Sequence, residues 1–147
     1  MRTQLLLALA WCGLASPARA QARAEATEPF RRANTVWLYT PAAPAAVLHT
    51  LADNLRQRGF ELDSVAYEAG VVTTRPTIPP GTESWPLVIR LVTVAGGVQL
   101  TGTFTTGAAR YPAEFWGFDW SPAKKTFHEV AATAQAYGGG QVRYSRR

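Results

Sequence analysis

The spacing of apolar and polar residues changes character several times along the chain, and each change marks an element. The run TVWLYT from Thr35 is β-branched and aromatic and is closed by Pro41, which predicts a strand with Val36 and Leu38 on one face and Trp37 and Tyr39 on the other. Pro44 then suits the first turn of a helix. Val47, Leu48, Leu51, Ala52 and Leu55 follow at steps of three and four to make one apolar stripe, and Gly59 is placed to end it. From Phe60 the period shortens. FELDSVAY and VVTTR flank a tight turn that needs a positive φ at Gly70, and PLVIRLVTV and VQLTGTFTT flank Ala95-Gly96-Gly97. In the last of these strands Val98, Leu100, Gly102 and Phe104 face one way and Gln99, Thr101, Thr103 and Thr105 the other, so one side faces water. Ser121-Pro122 opens a second helix with an apolar face of Phe127, Val130, Ala131, Ala134 and Tyr137, and Gly138-Gly139-Gly140 stops it.

Hairpins require antiparallel pairing, and a sheet with one apolar face must cover that face. The predicted fold class is therefore α+β: a two-layer sandwich of an antiparallel sheet of about five strands with two helices on one face, in the order β-α-β-β-β-β-α. One domain is expected over residues 34–138. Residues 21–33 are polar, mixed in charge and without apolar periodicity, and read as a linker or disordered arm. Residues 139–147 read as a basic tail or a short edge strand.

The start of the chain carries a different signal. Arg2, the apolar stretch LLLALAWCGLA and the A-x-A sequence Ala18-Arg19-Ala20 have the order of a cleavable secretory signal peptide over residues 1–20. A second reading places lipid on Cys12, but Trp11 stands where a lipobox carries a small residue. Either way the product works outside the cytoplasm, in the periplasm or beyond, and no later segment has the apolar length of a membrane span. Cys12 is the chain's one cysteine, so cleavage near Ala20 leaves no disulfide, thiolate nucleophile or cysteine metal site. Of the 15 Lys and Arg residues, Arg2 and Arg19 lie in this leader, which leaves a mild basic excess over the 10 acidic residues. The remaining basic residues are spread over helix faces, loops and the end of the chain, including Arg143, Arg146 and Arg147. Nucleic-acid binders concentrate them in a patch or stripe.

The run from Val36 to Arg75, with its strand, Pro-started helix, Arg56-x-x-Gly59-Phe60 ending and hairpin closing on Thr73-Thr74, resembles small bacterial envelope α+β domains of helix-grip topology, the BamC-like domains among them. That resemblance implies a non-enzymatic interaction module in the cell envelope. The chain departs from the lipoprotein pattern at the lipobox.

No constellation of residues has the specificity of a catalytic signature. His49 and Asp53 share a helix face at a spacing that can present two metal ligands, but the other histidine, His128, lies on the second helix beside Glu129, and a solvated helix face explains both. Ser64, Ser84, Ser121 and Ser145 lack a G-x-S-x-G elbow. Glu114 and Asp119 flank aromatic residues that could stack on sugar rings, yet so short a chain has little room for a glycosidase cleft. The glycine pairs and triplets lack the spacing of a phosphate-binding loop. These features predict no enzyme, no cofactor and no metal.

One feature resists a purely architectural account: Tyr111, Phe115, Trp116, Phe118 and Trp120 fall within one short loop broken by Pro112 and Gly117. Two readings are open. The rings either fold back to plug the end of the sandwich or form a binding face, since loops lie at the surface and aromatic rings offer large contact areas. The expected function is an exported non-enzymatic domain of the cell envelope that engages another envelope protein through this loop. The alternative is binding of a small apolar or aromatic ligand between sheet and helices, in a cavity lined by residues such as Leu91, Phe104 and Phe127.

Overall fold

A computed structural model describes residues 25–79 and 85–147. The expected signal peptide with Cys12, and the stretch of the TIPPGTES loop that includes Ser84, lie outside the described residues.

The element order is β1 (Thr35–Tyr39), α1 (Pro44–Gln57), β2 (Leu62–Ala66), β3 (Val71–Thr74), β4 (Leu87–Val94), β5 (Gly97–Thr106), β6 (Ala109–Pro112), α2 (Pro122–Gln135) and β7 (Gln141–Ser145). All the pairings are antiparallel. The strands lie in the order β2-β3-β4-β5-β1-β7, with β6 also paired to β5. The α+β sandwich is as expected, and the positive φ at Gly70 is present at 69°.

Among the described residues the sheet has seven strands rather than about five. The two additional strands have distinct causes. β6 is exposed along its whole length, so it has no inward apolar alternation to reveal it. Its signal is instead the two-residue turn Gly107-Ala108 after β5, with Gly107 at φ 58°. β7 falls in the stretch read as a basic tail or a short edge strand, and it forms the edge strand, paired to β1. Val142 and Tyr144 turn inward opposite Leu38 and Val36, while Arg143 and Ser145 turn outward, so the alternation exists beneath the arginines.

Both helices cover the inner face. Val36, Leu38, Val72, Ile89, Leu91, Val98 and Leu100 from the sheet meet Val47, Leu48, Leu51 and Leu55 of α1 and Phe127, Val130 and Ala134 of α2 in one buried cluster. Burying each of these Val, Leu, Ile and Phe side chains stabilises the fold by about 1.5–3 kcal/mol. Gly102 sets how closely α2 approaches: a Cβ there would lie 2.6 Å from a Val130 methyl and 3.0 Å from the Ala113 Cβ. Arg58, just after α1, bonds the Thr133 hydroxyl at 2.6 Å and pairs with Glu129, which joins the two helices across their outer surface.

The segment before β1 also differs from the expectation of a linker or disordered arm. Ala26 exchanges two backbone hydrogen bonds with Tyr144, at 2.9 and 2.8 Å, and so covers part of the outer edge of β7. Phe30 packs on the core and Ala33 is fully buried in it. Two apolar residues three apart in a turn are too few to register as periodicity, yet they suffice to dock the chain.

Candidate partner-binding surface

The chain between β6 and α2 is fastened at its base. Ala113 donates to the Gly102 carbonyl at 2.9 Å, continuing the β5–β6 ladder, and the Phe115 N–H donates to the Ala33 carbonyl at 2.7 Å. Arg32 donates back to the Phe115 carbonyl at 2.9 Å, so the segment before β1 and the aromatic loop brace each other. The Phe115 ring lies edge-on to Phe127 at 5.9 Å and to His128 at 5.7 Å, with the Lys124 ammonium 4.7 Å from its centre.

Ser121 closes the loop. Its hydroxyl donates to the Trp116 carbonyl at 2.8 Å and accepts from the Lys124 N–H at 3.4 Å, while its own N–H donates to the Phe118 carbonyl at 2.9 Å. The same side chain therefore caps α2 and ties down the five residues before it. Gly117, at φ 86°, makes the bend.

Beyond this brace two rings project outward. Phe118 is 72% exposed and Trp120 is 69% exposed, and they stack on one another with centroids 5.7 Å apart and planes 6° apart. Between them in sequence, Asp119 pairs with Lys124 at 2.5 Å, and that hydrogen bond holds its carboxyl below the usual carboxylate range. Tyr111, 47% exposed on β6, stacks on Phe104 at 5.7 Å.

Trp116 stands at the centre. It forms a ridge with Gly117 and Phe118 between two surface grooves. One, of about 450 Å³, runs between Phe104 and Tyr111 on one side and Ser121-Pro122-Ala123 on the other. The second, of about 500 Å³, is lined by Arg31, Phe115, Trp116, Gly117 and Phe118.

The five aromatic residues singled out by sequence are thus brought to one end of the molecule but divided in role. Phe115 plugs the sandwich, Trp116 is half-buried, and Tyr111, Phe118 and Trp120 face solvent. The arginines that flank Trp116 were hidden in the supposed linker, since nothing local announces that Arg31 and Arg32 will meet an indole far along the chain.

The remaining candidates lie elsewhere. His49 stacks on Tyr67 at 3.5 Å beside an open groove of about 690 Å³ between α1 and the end of β2, while Asp53 pairs with Arg56 at 2.7 Å. Among the described residues no group of three His, Cys, Asp or Glu side chains is placed to hold a metal. Leu91 and Phe127, expected to line a cavity between sheet and helices, are packed into the core, and Phe104 forms the floor of a surface groove. Among the described residues no helix is long and apolar enough to cross a membrane.

The sequence matches no family model, and no curated protein matches it.

Proposed function

We propose that this chain is an exported, non-enzymatic interaction module of the cell envelope, and that its partner binds on Phe118, Trp120 and Tyr111 around the Trp116 ridge. The observation that carries the reading is the Phe118–Trp120 pair: two large rings, stacked and exposed, on a loop that hydrogen bonds hold in shape. Large apolar rings left in water on a braced support are the composition of a binding hot spot. Covering them contributes on the order of 3 kcal/mol per ring before the costs of association. The bracing limits the ordering entropy that a partner must offset. The envelope setting rests on the leader sequence and on the helix-grip resemblance of residues 36–75.

The test is affinity capture from envelope extracts with tagged full-length chain, run in parallel with the Phe118→Ser/Trp120→Ser double variant. A specific protein recovered with the parent and lost with the folded double variant supports the reading. An unchanged set of captured proteins contradicts it, and N-terminal sequencing of the exported chain that starts anywhere but near Gln21 contradicts the processing it assumes.

A further inference from the structure

We propose that Arg31 and Arg32 form a carboxylate receptor at the edge of this surface, so that the partner is recognised through a segment with an acidic side chain next to an apolar one. The inference rests on the reading of the loop as a partner surface and adds the chemistry of what it takes.

Three observations converge. The guanidinium carbons of Arg31 and Arg32 lie 4.0 Å and 5.0 Å from the centre of the Trp116 ring. Each gains from the ring's negative face, and together the two exposed guanidiniums concentrate positive charge at one indole. Neither has a carboxylate within ion-pair distance among the described residues, so both guanidiniums can take one from a partner.

The backbone beneath them is strained in the way that functional turns are. Arg32 has φ 65° and is the one non-glycine residue with positive φ among the described residues. A residue with a long side chain seldom adopts this conformation. Here it is held by the Ala33 N–H donating to the Phe30 carbonyl at 2.9 Å and by the Arg32 N–H donating to Phe115. A glycine would sit there without strain, so the cost of keeping arginine needs a compensating role, and strain of this kind collects at ligand-binding positions.

The third observation is shape. Arg31 lines the groove on one side of the Trp116–Phe118 ridge, and the more apolar groove under Tyr111 and Phe104 lies on the other. A carboxylate on Arg31 and Arg32 therefore sits next to room for an apolar side chain, and guanidinium forks match carboxylates with two parallel hydrogen bonds. Neighbouring acidic and apolar side chains of one peptide segment fit the basic groove and the apolar groove on the two sides of this ridge. Strand addition at β6 is disfavoured, because that strand is four residues long and ends in Pro112.

Fluorescence anisotropy with the full chain tests this. One labelled peptide pool carries Asp or Glu beside Phe, Leu or Trp in a Gly-Ser background, and a matched pool carries Asn or Gln instead. Inorganic phosphate and phosphatidylglycerol vesicles are the other probes. The acidic pool is expected to bind at least tenfold more tightly than the amide pool. Arg31→Gln, and separately Arg32→Gly, which suits the positive φ, should abolish the preference for the acidic pool over the amide pool. Phe118→Ser should weaken both pools. Equal binding of both pools with no effect of either arginine variant would overturn the carboxylate receptor while the interaction surface stands. Arginine-dependent binding of vesicles or phosphate without any peptide preference would overturn it in favour of a phosphate ligand. Binding of neither pool also overturns it, and the broader reading then depends on the envelope capture alone.

Discussion

Phe127 and Trp120 are separated by less than two turns of chain, yet one is 1% exposed and the other 69% exposed. Phe127 stands where α2 crosses the sheet, in van der Waals contact with the core and edge-on to Phe115, and every face of its ring is covered by the chain itself. Trp120 stands just before α2 on a loop hydrogen-bonded at its base, and its ring stacks on Phe118. The two regions have similar aromatic content and opposite use of it. At the α2–sheet seam apolar area is converted into stability, and at the loop tip it is left facing water. Exposed rings on a hydrogen-bonded loop are what the proposed docking surface requires and a folding core does not.

That contrast can be broken from the core side first. Phe127→Ala should cost about 3–5 kcal/mol, because the ring leaves a cavity between α2 and the sheet that neighbours cannot fill, and a large fall in the denaturant midpoint is the readout. Gly102→Val should cost about 1–3 kcal/mol by overpacking against the Val130 methyl. Loss of stability smaller than this in either variant would mean that the seam is looser than the contacts imply.

Ser121→Ala acts on the border between the two regions. It removes the cap on α2 and the bond to the Trp116 carbonyl together, and should cost about 1 kcal/mol, with Ser121→Thr restoring most of it. The same change should loosen the Phe118–Trp120 stack, visible as a change in tryptophan emission.

How much of this could be read from residues alone follows the same division. The helix from Pro44 to Gln57 and the β4–β5 hairpin were legible because their apolar residues recur at one period and their ends carry Pro, Gly or Ser. β6 was not, because all four of its residues face solvent and only the Gly107-Ala108 turn marks it, and the segment around Phe30 was not, because its place is set by bonds to distant chain at Phe115 and Tyr144. The aromatic loop was legible as a candidate surface, but the division between Phe115 inside and Trp120 outside was not. That depends on how Ala33 and Ser121 hold the backbone between them, and local spacing does not encode it.

Tyr39, on the sheet face away from the helices, gives a smaller pH effect. Burial, and then its hydrogen bond to Glu25 at 2.8 Å, push its phenol from 10.0 up to about 12. The folded state thus keeps a proton that the unfolded chain gives up near its ordinary value. The stabilisation is complete below pH 10.0 and is lost as the pH rises through about 12. Glu25→Gln should bring the phenolate absorbance titration part of the way back, since burial, the larger cause, remains. An unchanged titration would show that the Glu25 contact is not made in solution.

The most direct measurement of the central claim is the unfolding free energy of the Phe118→Ser/Trp120→Ser double variant by chemical denaturation. Rings that contribute to binding and not to the core predict a change within about 0.5 kcal/mol of the parent chain. A loss of about 3 kcal/mol or more, the scale of a buried aromatic truncation, would place both rings in the core and contradict the account.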